Sequence, residues 1–456
     1  MSNKYYKIFT VLFIILLFCF YPSQFIYSQI NINTPKEANN NLNKILDKDG
    51  KINKIINGSF KTDGYKFEID PITSEPVFSK ISKNDSVSIP RWSSVGGGAD
   101  HLVKVITING NDIYIGGRFK SVKNSNGTVV ANTKHIAKWN GSSWSALGRG
   151  TNNVVNAITI SGNNVYVGGA FTGIQISDDS VDTNCRFIAR WDGANWHPLL
   201  KGVENEVMTI AISGSEVFVG GWFRYVYNNE GKKVKNTRGI VKWNGTNWET
   251  VGGGASSNVY SIITSGSDIY VGGLFRNVKN SDGSKVPNTM RIARWNGTNW
   301  YPLGEGIGGN AVLSMLKDGN DLYVGGVFTF VKTNNGSFLH DANNIARWDG
   351  TDWHALAKGA NGPVQAIAMS GRFLYIGGWF NSVKNSTGTK VPNTKKMARW
   401  NRTSWSSSAL NINDGVYSIV NYKNQKLFVG GLFTSITDMN NTSVSNSNHI
   451  AVYDPE

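Results

Sequence analysis

Three regularities in the sequence predict an all-β protein built as a seven-bladed β-propeller, with four-stranded blades and an N-terminal strand completing the last one. First, an apolar triplet followed by Gly-Gly recurs with its first glycine at Gly116, Gly168, Gly220, Gly272, Gly325, Gly377 and Gly430, a step of 52 or 53 residues. Second, a phenylalanine stands three residues after each of those glycines, from Phe119 to Phe433. Third, two tryptophans five residues apart close each of the first six units, as at Trp139 and Trp144. Units of about 50 residues, marked by glycine and aromatics and lacking a 3.6-residue apolar period, are propeller blades rather than helical repeats.

From the first residue, the chain begins with Lys4 and Lys7, then an apolar run from Ile8 to Tyr21 broken only by Thr10, then a polar stretch ending near Ser28. That is the layout of a secretory signal peptide, and the run is too short for a bilayer span, which needs about 20 apolar residues. Residues 1–28 are therefore expected to be a cleaved signal, leaving Gln29 first. Cys19 does not turn this into a lipoprotein signal, because the bulky Phe18 precedes it. Residues 29–91 fall outside the period and read as a linker rich in Asn, Lys and Ile, with one extended stretch from Tyr65 to Phe78 suited to a short hairpin.

The propeller is expected over residues 92–456. In its second unit Val154 to Ile160 is the first strand, and a Ser-Gly-Asn-Asn turn leads into Val165 to Phe171. A longer connection leads to Phe187 to Trp191, and Asp-Gly (Asn-Gly in other units) turns the chain into a fourth strand at Trp196. Such dipeptides favour type I′ hairpins, the turn expected here. The seventh unit stops at Tyr453 and Asp454 without a fourth strand. Trp92 to Gly98 supplies it, since that segment matches Trp248 to Gly254 and Trp92 lies one period before Trp144. Pairing the two ends in one blade removes an open edge.

The formal charge of +15 becomes +13 without Lys4 and Lys7. That surplus favours polyanionic neighbours, acidic glycans among them, and equally serves solubility. After export Cys185 would be the one cysteine, so stability must come from buried area rather than a disulfide. No other apolar stretch is long enough to cross a membrane. A Walker loop, Ser-His-Asp spacing, an HExxH helix and a CxxC pair are all missing from the sequence. No cofactor is expected.

Where apolar-Gly-Gly meets the later tryptophan pair, as in YVGGLF (270–275) and IARWNGTNWYPLG (292–304), the chain resembles kelch-type propellers. It is more similar still to repeats of secreted bacterial propellers and of fungal cortical polarity-marker proteins. The resemblance covers residues 92–456, about four-fifths of the chain, and implies the fold. Its motifs are packing and turn residues, so it implies no single function. The kelch-like enzyme galactose oxidase uses two histidines, two tyrosines and a cysteine at copper. Cys185 and the six histidines (His101, His135, His197, His340, His354, His449) do not reproduce that motif.

Function is expected on the loop face where the inner strands begin, because loops on a rigid scaffold carry contacts. One position there varies freely, and it supplies the candidate ligand residues Lys104, Asn156, Tyr260, Gln365 and Tyr417, with Met208 and Leu313 in the remaining blades. His135 and His449 share a repeat position in blades that become neighbours on closure, making them candidate metal ligands. Asp178, Asp179 and Asp182 are a candidate calcium cluster. His197 and His354 are expected at the surface. Lys138, Arg190, Lys242, Arg294, Arg347 and Arg399 are expected to lay their stems across the neighbouring tryptophans. Asn132, Asn184, Asn236, Asn288, Asn393 and Asn446 are expected to lock turns by side-chain bonds to the backbone. Trp222 and Trp379 are expected in the core, with sugar stacking as the alternative. The expected function is a secreted or surface-displayed binding and adhesion propeller, monomeric, recognising glycans or other anionic polymers. A polysaccharide-acting or metal-dependent enzyme and a protein-docking scaffold are the alternatives.

Overall fold

A computed structural model describes residues 65–69, 76–80, 91–176, 180–408, 410–423, 425–438 and 443–455. The expected signal (1–28), most of the linker, Asp178 and Asp179 lie outside the described residues. Within the linker, Tyr65–Ile69 pairs antiparallel with Pro76–Lys80, setting Phe67 opposite Phe78. This hairpin belongs to a unit separate from the one that begins at Ser88.

The second unit holds seven four-stranded antiparallel blades and, among the described residues, no helix. The chain is a seven-bladed β-propeller. In blade 1 the inner strand Val103–Asn109 pairs with Asp112–Gly117, which pairs with Ile136–Trp139 and then Trp144–Ser145. Blades 2 to 4 and 6 repeat this order. Blade 5 lengthens it, with inner strands Ile307–Asp318 and Asp321–Lys332 and an extra pairing to Phe338–Leu339. In blade 7, Val416–Tyr422, Lys426–Gly431 and Ile450–Asp454 come from the chain's end, and Arg91–Ser94 adds the outer strand. The register sets Trp92 opposite Tyr453, their rings 5.0 Å apart, the place that the Trp139–Trp144 pair fills in blade 1. The closure read from the sequence is therefore observed strand by strand.

The repeated glycines have a steric cause. A Cβ on Gly116 would lie 2.4 Å from Cγ1 of Val155, which begins the inner strand of the next blade. Gly168 meets Val207 in this way at 2.3 Å, and Gly272 meets Val312 at 2.4 Å. At the seam between the last and first blades Gly430 meets Val103 at 2.8 Å. The second glycine is excluded from bearing a side chain for a different reason: a Cβ on Gly117 would lie 2.0 Å from the Leu102 carbonyl oxygen, beside the bulge between Val103 and Val105. The phenylalanines three residues on, Phe119 through Phe433, are at most 1% exposed. Complete burial of each contributes about 1.5–3 kcal/mol.

The outer tryptophans lock neighbouring blades. Trp196 of blade 2 packs on Gly148 of blade 1 and donates its indole N–H to the Leu147 carbonyl at 3.1 Å, and Trp353 and Trp405 do the same to Leu303 and Leu356. Between the paired tryptophans the turn differs from expectation. The connection from Trp139 to Trp144 has four residues, and Gly141 alone has positive φ (98°), so the turn is not type I′. Asn140 instead accepts the backbone N–H groups of Ser142 and Ser143 at 3.0 and 2.9 Å, which is why Asn or Asp opens this turn in each of the first six blades.

The basic residue before the marker also has a different partner from the one expected. Lys138 bonds Asp112 (3.1 Å), Arg294 bonds Asp268 (3.1 Å), Arg347 bonds Asp321 (2.7 Å), and Lys242 bonds both Glu216 and Glu249. Arg190 finds Asn164 at 2.6 Å. Blade 6 has Phe373 where these acids stand, and there Arg399 lies over the phenyl ring at 4.6 Å. Each cation of the ring is thus paired, hydrogen-bonded or stacked within its own blade, at the edge away from the inner-strand entries. The conserved turn asparagines also act through the backbone: Asn132, Asn236, Asn288, Asn393 and Asn446 adopt φ between 53° and 62°, the left-handed region that Asn tolerates. Asn184 is the exception and bonds the Asp182 side chain instead.

Gly430→Ala is expected to destabilise the protein by about 1–3 kcal/mol by overpacking the seam. Adding Val103→Ala should recover part of that loss in a double-mutant cycle. Guanidinium unfolding of the four proteins measures it, and additive effects would mean that the two residues do not share the seam.

Candidate ligand-binding face

Inner strands begin where second strands end, so one face of the propeller gathers three repeat positions: the residue after Gly-Gly, the residue four before the third-strand marker, and the freely varying inner-strand residue. The long connections fold onto the same face as short ribbons. Val122–Lys123 pairs with Val129–Val130, and Val122 also bridges Ala99 on the segment that enters the blade. Equivalent bridges join Thr151 to Ile174, Val203 to Val226, Ala255 to Val278 and Ala360 to Val383. Backbone pairing therefore holds the loops of this face to the frame. In blade 2 the ribbon is anchored by Cys185, a free buried thiol that burial pushes up to about 12 and so keeps protonated. Threonine stands there in blade 1, where Thr133 accepts the Val122 N–H and donates to the Val130 carbonyl.

The expected ligand residues fall into three sectors. In blades 1 to 3, the Lys104 ammonium donates to Asn156 Oδ1 at 2.6 Å, and the buried Asn156 donates to Glu206 Oε1 at 2.8 Å and the Val207 carbonyl at 2.9 Å. Lys104 and Asn156, chosen for their variety, are thus direct partners, and Glu206 completes the chain. Burial lowers the Lys104 pKa, Glu206 opposes that shift, and Arg118 adds to it. In blades 3 and 4, Tyr260 meets Trp222 at 6.3 Å in an edge-on arrangement. In blades 6 and 7, Tyr417 meets Trp379 at 6.2 Å with the ring planes at 90°. Gln365 is half-buried and bonds none of the described residues, and Leu313 and Met208 are half-buried too.

Trp222 and Trp379 correct an expectation. They are 44% and 37% exposed, not core residues. Their repeat position holds Arg118 in blade 1, and an arginine there was the sequence signal for a surface site.

His135 and His449 lie in adjoining blades, and each turns Nδ1 toward the carbonyl of its own blade's glycine, Gly117 at 3.1 Å and Gly431 at 3.2 Å. His449 stacks on His101 with ring centroids 6.0 Å apart. Among the described residues no three His, Cys, Asp or Glu side chains gather as a metal site. The residues at this repeat position share a backbone conformation: His135, Phe187, Gly239, Arg291, Asn344, Lys396 and His449 all have φ between 59° and 74°. His197 and His354 sit on outer strands at 2.6 Å from Asp192 and Asp349. Those carboxyls are held far below the usual range, first by backbone N–H donors and then by neighbouring side chains, the histidine among them.

A cavity of about 570 Å³ is lined by inner-strand residues including Thr159, Ile210, Ile212, Ile263, Met315 and Leu316, with Lys317 as its titratable member. In the hydrogen-bonded chain at the entry, Glu206 is the one carboxylate, whereas glycoside hydrolysis uses a pair.

No protein-family model matches the chain, and no curated protein matches it. Among solved structures it is similar to the WD40 β-propeller domain of Doa1, at 10% identity and TM-score 0.47 over 81% of this chain and 98% of that one. It is also similar to the computationally designed protein Ika8 (13% identity, TM-score 0.44, 80% of this chain and 99% of that one). A chain of a mitotic checkpoint complex gives 12% identity and TM-score 0.45 over 82% of this chain and 96% of that one. The blade count rests on the strand register rather than on these likenesses.

Both His135 and His449 are held below the ordinary histidine value of about 6.5, chiefly by burial. Between that value and the lowered folded value, the unfolded chain binds more protons than the folded one, so stability falls as the pH drops. Replacing both with Asn, which occupies this position as Asn344, should flatten the fall in melting temperature between about pH 7 and 5. An unchanged slope would place the acid sensitivity elsewhere.

Proposed function

We propose that the protein is an exported, non-enzymatic binding propeller whose inner-strand entry face recognises glycans, anionic ones included. The observation that carries this reading is the pair of exposed tryptophans, Trp222 and Trp379, each met edge-on by a tyrosine from the next blade. An indole fixed by an aromatic neighbour is a rigid apolar plate, and sugar rings present C–H faces that stack on such plates with little ordering cost. Cations surround it. Arg118, Lys120, Arg224 and Arg276 are exposed on the same face, and Lys233 lies 4.0 Å from the Tyr225 ring. The ribbons that follow them are paired to the frame, so the surface is formed before a ligand arrives. The chain from Lys104 through Asn156 to Glu206 contains one carboxylate where glycoside hydrolysis uses a pair, which favours binding over hydrolysis. The basic start and short apolar run of residues 1–28 support export.

A glycan array probed at low and at near-physiological salt tests this. Selective binding that persists at the higher salt is expected, with Trp222→Ala weakening it about tenfold. Binding to every polyanion that disappears with salt would reduce the reading to general charge attraction. No binding at all would overturn it in favour of protein docking.

A further inference from the structure

The seven residues in the left-handed position four before the marker share a backbone, but their side chains differ in one informative respect. His135 and His449 face a glycine carbonyl, Arg291 donates to the Asn310 and Ile307 carbonyls at 2.6 and 2.9 Å, and Asn344 donates to the Ala360 carbonyl at 2.9 Å. Phe187 and Gly239 have no polar group to satisfy. Lys396 is alone in bringing a charge to this position without a bonded partner among the described residues. It is 7% exposed, and its ammonium lies 5.2 Å from the ring centroid of Trp379. Its charged form is disfavoured by burial first and by Lys395 second, and Asp414 opposes both. The Asp414 carboxylate is already an acceptor for the Gly415 N–H at 2.7 Å. A cation buried to this degree without an ion pair is costly, and a ligand anion that supplied the pair would recover that cost on binding.

The second aromatic pair serves as an internal comparison. Trp222 and Tyr260 repeat the Trp379–Tyr417 arrangement, but Gly239 stands where Lys396 does, and Asn258 stands where Gly415 does. Gly415 matters because a Cβ there would lie 2.6 Å from Trp379 Cε2, so glycine lets the indole settle against the backbone below it. One cleft has a plate and a cation, the other a plate alone.

We infer that the cleft formed by Trp379, Lys396 and Tyr417 between blades 6 and 7 is a subsite for an acidic sugar unit. The Lys396 ammonium takes the carboxylate, and the aromatic pair takes the ring. The Trp222–Tyr260 cleft accepts a neutral unit. This inference rests on the glycan-binding reading above and adds to it which unit goes where.

Calorimetric titration of the protein with polygalacturonate and with its carboxyl-reduced counterpart, at near-physiological salt, separates the two. Lys396→Gln is expected to weaken binding to the acidic polymer roughly tenfold or more, the size of a lost charge-assisted bond, and to leave the neutral polymer unaffected. Lys396→Arg should keep most of the affinity. Trp379→Ala, at an exposed residue, should weaken the acidic polymer more than the neutral one, and Trp222→Ala should weaken the neutral polymer more than the acidic one. If Lys396→Gln and Trp379→Ala change the two polymers equally, or change neither, the subsite is overturned while glycan binding stands. If the unaltered protein binds neither polymer, the glycan reading itself fails and the inference fails with it.

Discussion

The distance between blades is set where a valine of one blade rests on a glycine of the blade before it. At Gly116, Gly168, Gly272 and Gly377 an added Cβ would lie 2.3 to 2.4 Å from the next blade's valine, so no side chain of any kind fits. Because the contact recurs around the circle and returns from Gly430 to Val103, it sets how closely adjacent sheets approach and how many complete the ring. The buried phenylalanines and the tryptophans seated on Gly148 and its equivalents then fill the space that this approach leaves. The variable side chains of the entry face stand beside that contact rather than in it, as Asn156 does in bonding the Val207 carbonyl.

Most of the fold was legible because packing residues cannot vary where the same contact is made seven times. Gly-Gly, the phenylalanine and the tryptophan pair are buried, partly buried or sterically excluded positions, and their spacing alone located the blades and the Trp92–Tyr453 closure. Contacts that link two columns of the repeat were harder to see. The Lys138–Asp112 pairing becomes visible in sequence once Asp112, Glu216, Asp268 and Asp321 are aligned with the basic residues 26 positions later. Phe373 opposite Arg399 is then the telling exception, because stacking replaces the charge pair.

The site was legible in part, and the misses have physical reasons. Tyr260, Tyr417, Lys104 and Asn156 were found from variety at one position, and the structure joins them to Trp222, Trp379 and Glu206. The two tryptophans were misjudged because they sit between packing residues, Gly-Gly and Phe, yet in a strand alternate residues face opposite ways. The position of Lys396 looked permissive because six residue types occupy it in seven blades. What those residues share is a positive φ, which no single column of letters reveals. Asn-Gly was read as a two-residue turn because the side chain's own hydrogen bonds to the following N–H groups were not weighed.

The closing strand carries a consequence for the order of assembly. Arg91–Ser94 is the first piece of the propeller to leave the ribosome, and its partner, Ile450–Asp454, is the last. Six blades are complete in themselves and form from neighbouring sequence, whereas the seventh waits for both ends of the chain to meet. Closing so long a loop is slow but its entropy grows only with the logarithm of length, so the delay is kinetic more than thermodynamic. The inner strands of blades 1 and 7 meet across the seam directly, so what waits for the last residues is the outer half of blade 7. The seventh blade is therefore a checkpoint on completeness: a chain truncated by its final strand leaves Arg91–Ser94 without a strand to pair with.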